Sequence, residues 1–364
     1  MKAWIVAAGV TLAGAALMAT VLGLLVWQWW RTPLQLPASG LMITVEQGEY
    51  LSALSKRLAE AEILEKPRWF RLAARIQDAD RRIIPGEYQL QQGLLPGDLL
   101  SLLQSGDTVR YYVTIPEGVN LRETLQLLST TKGLRSILDG VRDPRLLSLA
   151  EPHLSAEGLF LPETYQYQRG DSDLDVLSQA RRLMDEALRD AWAKRAVDLP
   201  FETPYEMLIM ASIIEKETGL AEERAQISGV FVRRLEQGMR LQTDPSVIYG
   251  LGSRFDGNLT RRHLRDESNS YNSYRHAGLP PGPICLPGRA ALLAAADPAD
   301  GSALYFVARG DGGHVFSDTL EAHEAAVKQY QLTRRAGYRS SPMPKGTQLS
   351  KEPSAKITTE KEAP

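Results

Sequence analysis

From Ala3 to Trp30 the chain carries no charged side chain. A helix rises ~1.5 Å per residue, so this run of roughly 28 residues is long enough to cross a hydrocarbon layer ~30 Å thick. Trp4 at one end and Trp27, Trp29 and Trp30 at the other place amphipathic rings where two membrane interfaces would lie. A cleaved signal peptide has a shorter apolar core of ~7 to 15 residues followed by a small-residue cleavage site. The expectation is therefore an uncleaved single-pass anchor. Lys2 and Arg31 flank the span almost evenly, so positive charge says little about orientation. No second apolar span follows Arg31.

Beyond a polar stretch, Thr32 to Ser39, short strand-like and helix-like runs alternate. Leu41 to Val45 reads as a strand. Glu49 to Ala61 repeats apolar residues at Leu51, Leu54, Leu58 and Ala61, a helical period. A second helix is expected over Pro67 to Ile76, with proline in the tolerated first turn, and Ile84 to Leu90 reads as a turn into a strand. Leu95-Pro96-Gly97-Asp98 opens a helix to Gln104, and Val109 to Ile115 is a strand stopped at Pro116. Residues 116–200 are mainly helical, except Glu157 to Tyr165, too rich in proline, glycine and aromatics for a helix interior and read as an ordered loop. From about Ser340 the chain is Ser, Pro, Thr, Lys and Glu with almost no large apolar side chain, so a disordered tail is expected.

The most informative stretch is Thr203 to Gly219. Thr203 and Glu206 have capping-box spacing, Pro204 suits the first helical position, and Gly219 is placed to end the helix. Met207 to Ile214 is apolar nearly all round apart from Ser212, the mark of a buried helix. It runs directly into Glu215-Lys216-Glu217-Thr218. A carboxyl abutting a buried helix loses hydration, which raises its pKa and can hold a proton near neutrality, as a general acid requires. Residues two apart on a helix point about 200° from each other, so Glu215 and Glu217 cannot both face one cleft. The bland alternative is a solvated, charged helix end.

Composition narrows the chemistry. With 42 Lys and Arg against 44 Asp and Glu the net charge is -2, which gives no global attraction to nucleic acid. The single cysteine, Cys285, excludes an internal disulfide and a thiolate zinc cluster; it reads as a small buried apolar side chain. His153, His263, His276, His314 and His323 show no metal-ligand spacing, so no metal and no cofactor are expected. Gly310-Asp311-Gly312-Gly313 lacks the Lys-Ser/Thr ending of a phosphate loop and reads as a hairpin turn after the strand at Tyr305-Phe306-Val307.

Ala-Ser-Ile-Ile-Glu-Lys-Glu-Thr (211–218), Gly-Met-Arg-Leu-Gln-Thr-Asp-Pro-Ser-Val-Ile-Tyr-Gly (238–250), Tyr271-Asn272-Ser273-Tyr274, Gly278 to Ile284 and Tyr305-Phe306-Val307 together resemble the YceG-like family of endolytic murein transglycosylases, in family order from about residue 40 to 335. The resemblance implies an α+β protein with four parts: a cytoplasmic end and transmembrane helix (1–31), a small LysM-like α+β subdomain (40–115), a larger α+β catalytic domain (116–338) and the tail (339–364). It implies a bacterial inner-membrane location, with the catalytic domain in the periplasm. The implied reaction cleaves peptidoglycan glycan strands between N-acetylmuramic acid and N-acetylglucosamine without adding water, leaving a 1,6-anhydro end. Peptidoglycan synthases of the penicillin-binding class are candidate partners.

The family's essential glutamate, carried over by motif, falls on Glu215, with Glu217 as the less favoured alternative. Gln242, Thr243, Asp244, Tyr249, Tyr271, Asn272 and Tyr274 are candidate sugar contacts, because saccharides need hydrogen-bonding groups interleaved with flat apolar faces. Asp244-Pro245 reads equally as a turn, and Tyr271 and Tyr274 as core aromatics. The loop Leu279 to Ile284 and Glu163 are further candidates for the glycan groove. Two rival functions stay open: a hydrolase pairing Glu215 with Asp244, and a catalytically silent peptidoglycan-binding scaffold.

Overall fold

The computed structural model describes residues 2–79 and 83–332; the expected disordered tail from 339 onward lies outside the described residues. The elements are α1 (Lys2–Trp30), β1 (Leu41–Val45), α2 (Leu51–Glu60), α3 (Pro67–Ile76), β2 (Gly86–Leu90), α4 (Pro96–Ser105) and β3 (Tyr111–Thr114), then α5 (Leu121–Ser129), α6 (Pro144–Ala150), β4 (Thr164–Tyr167), α7 (Asp173–Ala193) and α8 (Pro204–Glu217). They continue through α9 (Arg224–Glu236), α10 (Asp244–Leu251), α11 (Arg261–Leu264), α12 (Arg289–Ala296), β5 (Tyr305–Ala308), β6 (His314–Ser317) and α13 (Leu320–Val327). This is an α+β protein, and among the described residues there are three sheets of two strands each. Among the described residues one helix, within Ala13–Trp30, is long and apolar enough to cross a membrane.

The described residues form two compact units, both discontinuous: those within 1–115, 125–145 and 164–179 in the first, and those within 116–124, 146–163 and 180–332 in the second. In the first unit β1 and β2 pair antiparallel, Leu41 opposite Leu90 and Val45 opposite Gly86. The expected strand–helix–helix–strand order is present. Leu54, Leu58, Phe70, Tyr88, Leu99 and Leu103 close its core. Trp29 is buried in this core and its ring meets Trp69 edge-on at 5.8 Å, while Trp30 packs beside Gly97. These two rings thus serve the first unit rather than resting free at an interface; Trp27, over which Arg31 lies, stays exposed.

The strand after α4 does not extend the β1–β2 sheet. β3 pairs with β4, Thr114 opposite Thr164 and Tyr111 opposite Tyr167. The segment expected to be loop up to Tyr165 therefore ends in a strand from Thr164. Buried Glu87 on β2 accepts from the Tyr111 hydroxyl and from Arg169 Nη1 at 2.8 Å, tying this ribbon to the first sheet.

The second unit is organised around α8. Thr203 Oγ1 accepts the Glu206 N–H at 3.2 Å, and the Glu206 carboxylate accepts the Thr203 N–H at 3.3 Å, so the expected capping box forms. Every residue from Met207 to Ile214 is buried, each large apolar side chain contributing about 1.5 to 3 kcal/mol of transfer free energy. Alanine-rich α12 packs along α8, where Ala291, Leu292 and Ala295 lie inside and small side chains permit close approach. Ser212, the polar break in the apolar run, accepts the Ile284 N–H at 3.0 Å, and the Cys285 thiol donates to the Ser212 carbonyl at 3.2 Å. The proline-rich loop is thereby fastened to α8, and Cys285 is buried as expected. Residues 309–313 turn between β5 and β6 in an antiparallel hairpin. His314 at its end faces the Glu223 carboxylate at 2.7 Å.

Candidate active site

Glu215 and Glu217 leave the end of α8 in different directions, as the helical geometry requires, and neither is a solvated helix end. The Glu215 side chain is 5% exposed and Arg224 is 11% exposed. One Glu215 oxygen accepts from Arg224 Nη2 at 3.3 Å and the other accepts the Gly288 N–H at 3.0 Å. Burial pushes the Glu215 pKa up, while the Gly288 N–H and the Arg224 charge pull it back. Both oxygens are thus engaged by donors that favour the carboxylate.

Glu217 lies on the side of Thr243. Its Oε1 accepts from the Thr243 hydroxyl, and no cation forms an ion pair with it among the described residues. Burial pushes its pKa up to about 7, against the Thr243 hydrogen bond, which lowers it. The Arg234 guanidinium, whose charge also pulls the Glu217 pKa down, spends its N–H groups on the carbonyls of Leu304 at 2.7 Å and Leu241 at 2.6 Å. Glu217 is therefore a carboxyl whose burial favours the protonated form, with one oxygen not committed to a donor in these contacts.

Thr243 is itself held firmly. Its N–H donates to Ser273 Oγ at 2.9 Å, and its carbonyl accepts from Ser246 at 2.9 Å and Ser273 at 3.2 Å. Gln242 before it is exposed and has φ 53°, a left-handed conformation uncommon for a residue with a side chain. Asp244 opens α10, so the turn reading of Asp244-Pro245 gives way to a helix start with proline in its first turn. Its Oδ1 accepts from the Tyr274 hydroxyl at 2.7 Å, and burial with the adjacent carboxylate raises the Tyr274 pKa.

About 7.5 Å further along α10, at ~1.5 Å per residue, Tyr249 enters an aromatic group. Its ring lies 4.8 Å from that of Tyr271, and Tyr205 stacks on His153 at 3.9 Å. Gly282 sits between the Tyr271 and Tyr205 hydroxyls; a Cβ there would lie 3.2 and 3.3 Å from them. Burial pushes the Tyr271 pKa up to about 12. The Tyr249 hydroxyl donates to Glu157 Oε2 at 3.1 Å, and the Glu157 carboxylate also accepts the Leu121 N–H at 3.0 Å, satisfying a free donor at the start of α5.

Of the candidate residues, Thr243, Asp244 and Tyr274 gather around Glu217, and Tyr249 and Tyr271 around Glu157. Asn272 is wholly buried, and its amide donates to the carbonyls of His263, Leu264 and Asp266 at 3.1, 3.3 and 2.8 Å. Those bonds hold the loop that carries Tyr271 and Tyr274. Glu157, Tyr205, Arg224 and Gly288 were not singled out by sequence reasoning. A lone Glu-Gly in a loop, a Tyr in the first turn of a buried helix and an Arg after Glu-Glu carry no distinctive spacing. Among the described residues no cluster of His, Cys, Asp and Glu could hold a metal ion.

Glu157 supplies a pH-dependent stability test. Burial pushes its pKa up to about 7, whereas an unfolded glutamate titrates near 4.5. The folded state thus keeps the proton longer, so this group's stability is complete below pH ~4.5 and is lost as pH rises through ~7. Glu157→Gln should flatten that decline, by an amount of the order of 3 kcal/mol between pH 4.5 and 8. Thermal melts of parent and variant across this range check it; parallel curves would reject the assignment.

Glutamates whose pKa burial pushes up lie among tyrosines and hydroxyls in this α+β protein, an arrangement suited to acid–base chemistry. Its lineage follows from comparison with known proteins. The YceG-like family profile matches residues 43–329, and the chain belongs to that family. It is 26% identical over 306 residues to a Bacillus subtilis protein named endolytic murein transglycosylase, covering 79% of this chain and 84% of the relative. A Streptococcus pneumoniae protein of the same name is 27% identical over 278 residues, 67% of this chain and 50% of that protein. The crystal structure of a YceG-like protein from Listeria monocytogenes superposes with a TM-score of 0.50 at 26% identity, covering 79% of this chain and 99% of the other.

Proposed function

We propose that the protein is an endolytic murein transglycosylase that cuts peptidoglycan glycan strands between N-acetylmuramic acid and N-acetylglucosamine. The reading adds that α1 anchors it in the inner membrane, with the rest of the chain on the periplasmic side where that substrate lies. The single observation that carries the chemistry is the placement of Glu217: a carboxyl at the end of a buried helix, bonded to the Thr243 hydroxyl and without an ion-pair partner among the described residues, whose pKa burial pushes up to about 7.

The motif carry-over favoured Glu215. This reading moves the acid to Glu217, because both Glu215 oxygens are already taken, one by Arg224 and the other by the Gly288 N–H, and these contacts offset part of the upward push of burial. At Glu217 the Thr243 hydroxyl occupies Oε1 and leaves Oε2 to carry the proton. Donated to the glycosidic oxygen, that proton promotes departure of the leaving sugar through an oxocarbenium-like transition state. The resulting carboxylate then takes the proton from the C6 hydroxyl of the muramic acid as its oxygen bonds to C1, closing the 1,6-anhydro ring. One carboxyl acts as acid and then base, and no water enters.

Hydrolysis would commonly use a second carboxylate, as nucleophile or to activate water. Asp244, the available candidate, already accepts from Tyr274, which favours the one-carboxyl reading. In this reading Gln242, Asp244, Tyr249, Tyr271 and Tyr274 contact the sugars, Asn272 and Thr243 position them, and the LysM-like strand–helix–helix–strand unit adds a hold on the glycan. Mass spectrometry of digested glycan strands tests the reaction. Products lighter by one water than hydrolytic fragments support it; reducing ends would instead indicate a hydrolase, and no cleavage a binding scaffold. Loss of the Glu217 proton should lower the rate as pH rises above ~7.

A further inference from the structure

Helix α3 is divided lengthwise. Phe70 and Ala74 face the core of the first unit, whereas Arg68, Arg71 and Arg75 form a stripe on the outer face. Beside that stripe Leu72 is 57% exposed and Ile76 77% exposed. No acidic residue lies on α3, and among the described residues no carboxylate pairs with its three outward arginines. On α2, Glu60 lines an adjoining groove with Arg68 and Arg71, but its ion pair is with Lys56, at 3.7 Å. The groove measures about 610 Å³ and is lined by Tyr50, Ser52, Arg68, Arg71, Leu72 and Arg75, among others. The same helix carries Trp69, whose ring meets Trp29 at the end of α1.

Basic and large apolar side chains sharing one exposed helix face are the pattern of helices that lie in a membrane interface. Here that face belongs to a helix packed against the end of the apolar span. We propose that the outer face of α3 docks on the bilayer surface, its arginines binding the phosphates of anionic phospholipid headgroups while Leu72 and Ile76 enter the interface. The proposal rests on the reading of α1 as a membrane anchor. Guanidinium groups present a planar fork that matches phosphate oxygens, and the three cations here lack a protein counter-charge among the described residues. Docking would fix the first unit against the membrane instead of leaving it to swing on its tether.

The test uses the full chain in lipid nanodiscs, with Leu72→Cys carrying a fluorophore; native Cys285 is fully buried. A nitroxide on the lipid headgroups serves as quencher. Discs containing phosphatidylglycerol should quench the label, and added salt should relieve the quenching. Each arginine beside an anionic surface is worth about a fivefold factor, so replacing all three (Arg68→Gln, Arg71→Gln, Arg75→Gln) should lower the ratio of docked to undocked protein on the order of a hundredfold. An unquenched label in an inserted chain would overturn the proposal. So would equal quenching in purely zwitterionic discs, or protection of the label by soluble murein fragments instead of lipid. Failure of the chain to enter discs would remove the anchor reading, and the docking with it.

Discussion

Glu217→Gln should leave a folded protein that still binds glycan strands but cuts them on the order of a hundredfold to ten-thousandfold more slowly. Glutamine keeps the side chain's size and can still accept from Thr243, so the bond that orients the group survives. What is lost is the proton that titrates near neutrality. At pH 8 the parent must keep a carboxylate stripped of its hydration, whereas the neutral amide carries no charge to desolvate, so the variant should be at least as stable there. Turnover of purified strands, with binding measured separately on sacculi, separates chemistry from recognition. A folded Glu217→Gln enzyme of near-parent rate would remove Glu217 from the mechanism. Asp244→Asn should keep partial activity, since its carboxylate serves Tyr274; an equally dead Asp244→Asn would point to two indispensable acids and thus to hydrolysis.

The elements that were legible in the sequence are those written in local signals. Thr203, Pro204 and Glu206 announce the start of α8, and the apolar run after them announces its burial. The turn at Gly310 to Gly313 announces its hairpin, and Leu41 to Leu90 follows the expected order because periodicity changes at each boundary. What escaped depends on partners far apart in the chain. Nothing near Tyr111 says that it will stack on Tyr167 or pair through β4, and nothing near Glu157 says that it will receive the Leu121 N–H and the Tyr249 hydroxyl. The helix end at Glu215 to Glu217 was legible as a desolvated acid site. The partners that set the two acids apart were not, because they are Arg224 and Gly288 on one side and Thr243 on the other, none of them part of α8.

Glu215 is therefore expected to behave as a structural ion, and its variants should fail in stability before they fail in chemistry. Removing one member of a buried ion pair costs about 3 to 5 kcal/mol, because the remaining charge loses its compensation. The lower end applies here: Arg224 also lies 3.9 Å from Glu117, whose side chain is 49% exposed, and glutamine at position 215 can still accept the Gly288 N–H. Glu215→Gln and Arg224→Met should each lower the denaturation midpoint, while the double variant should lose less than the sum, since no unpaired buried charge remains. Below their melting temperatures, the single variants should keep a rate within about tenfold of the parent, far from the loss expected at Glu217. Chemical denaturation of the four proteins, read beside turnover at a temperature where all are folded, separates the two roles. Full stability with a collapsed rate in Glu215→Gln would return the acid to Glu215. The Arg224 pair would then tune that acid by lowering its pKa, instead of bracing the end of α8.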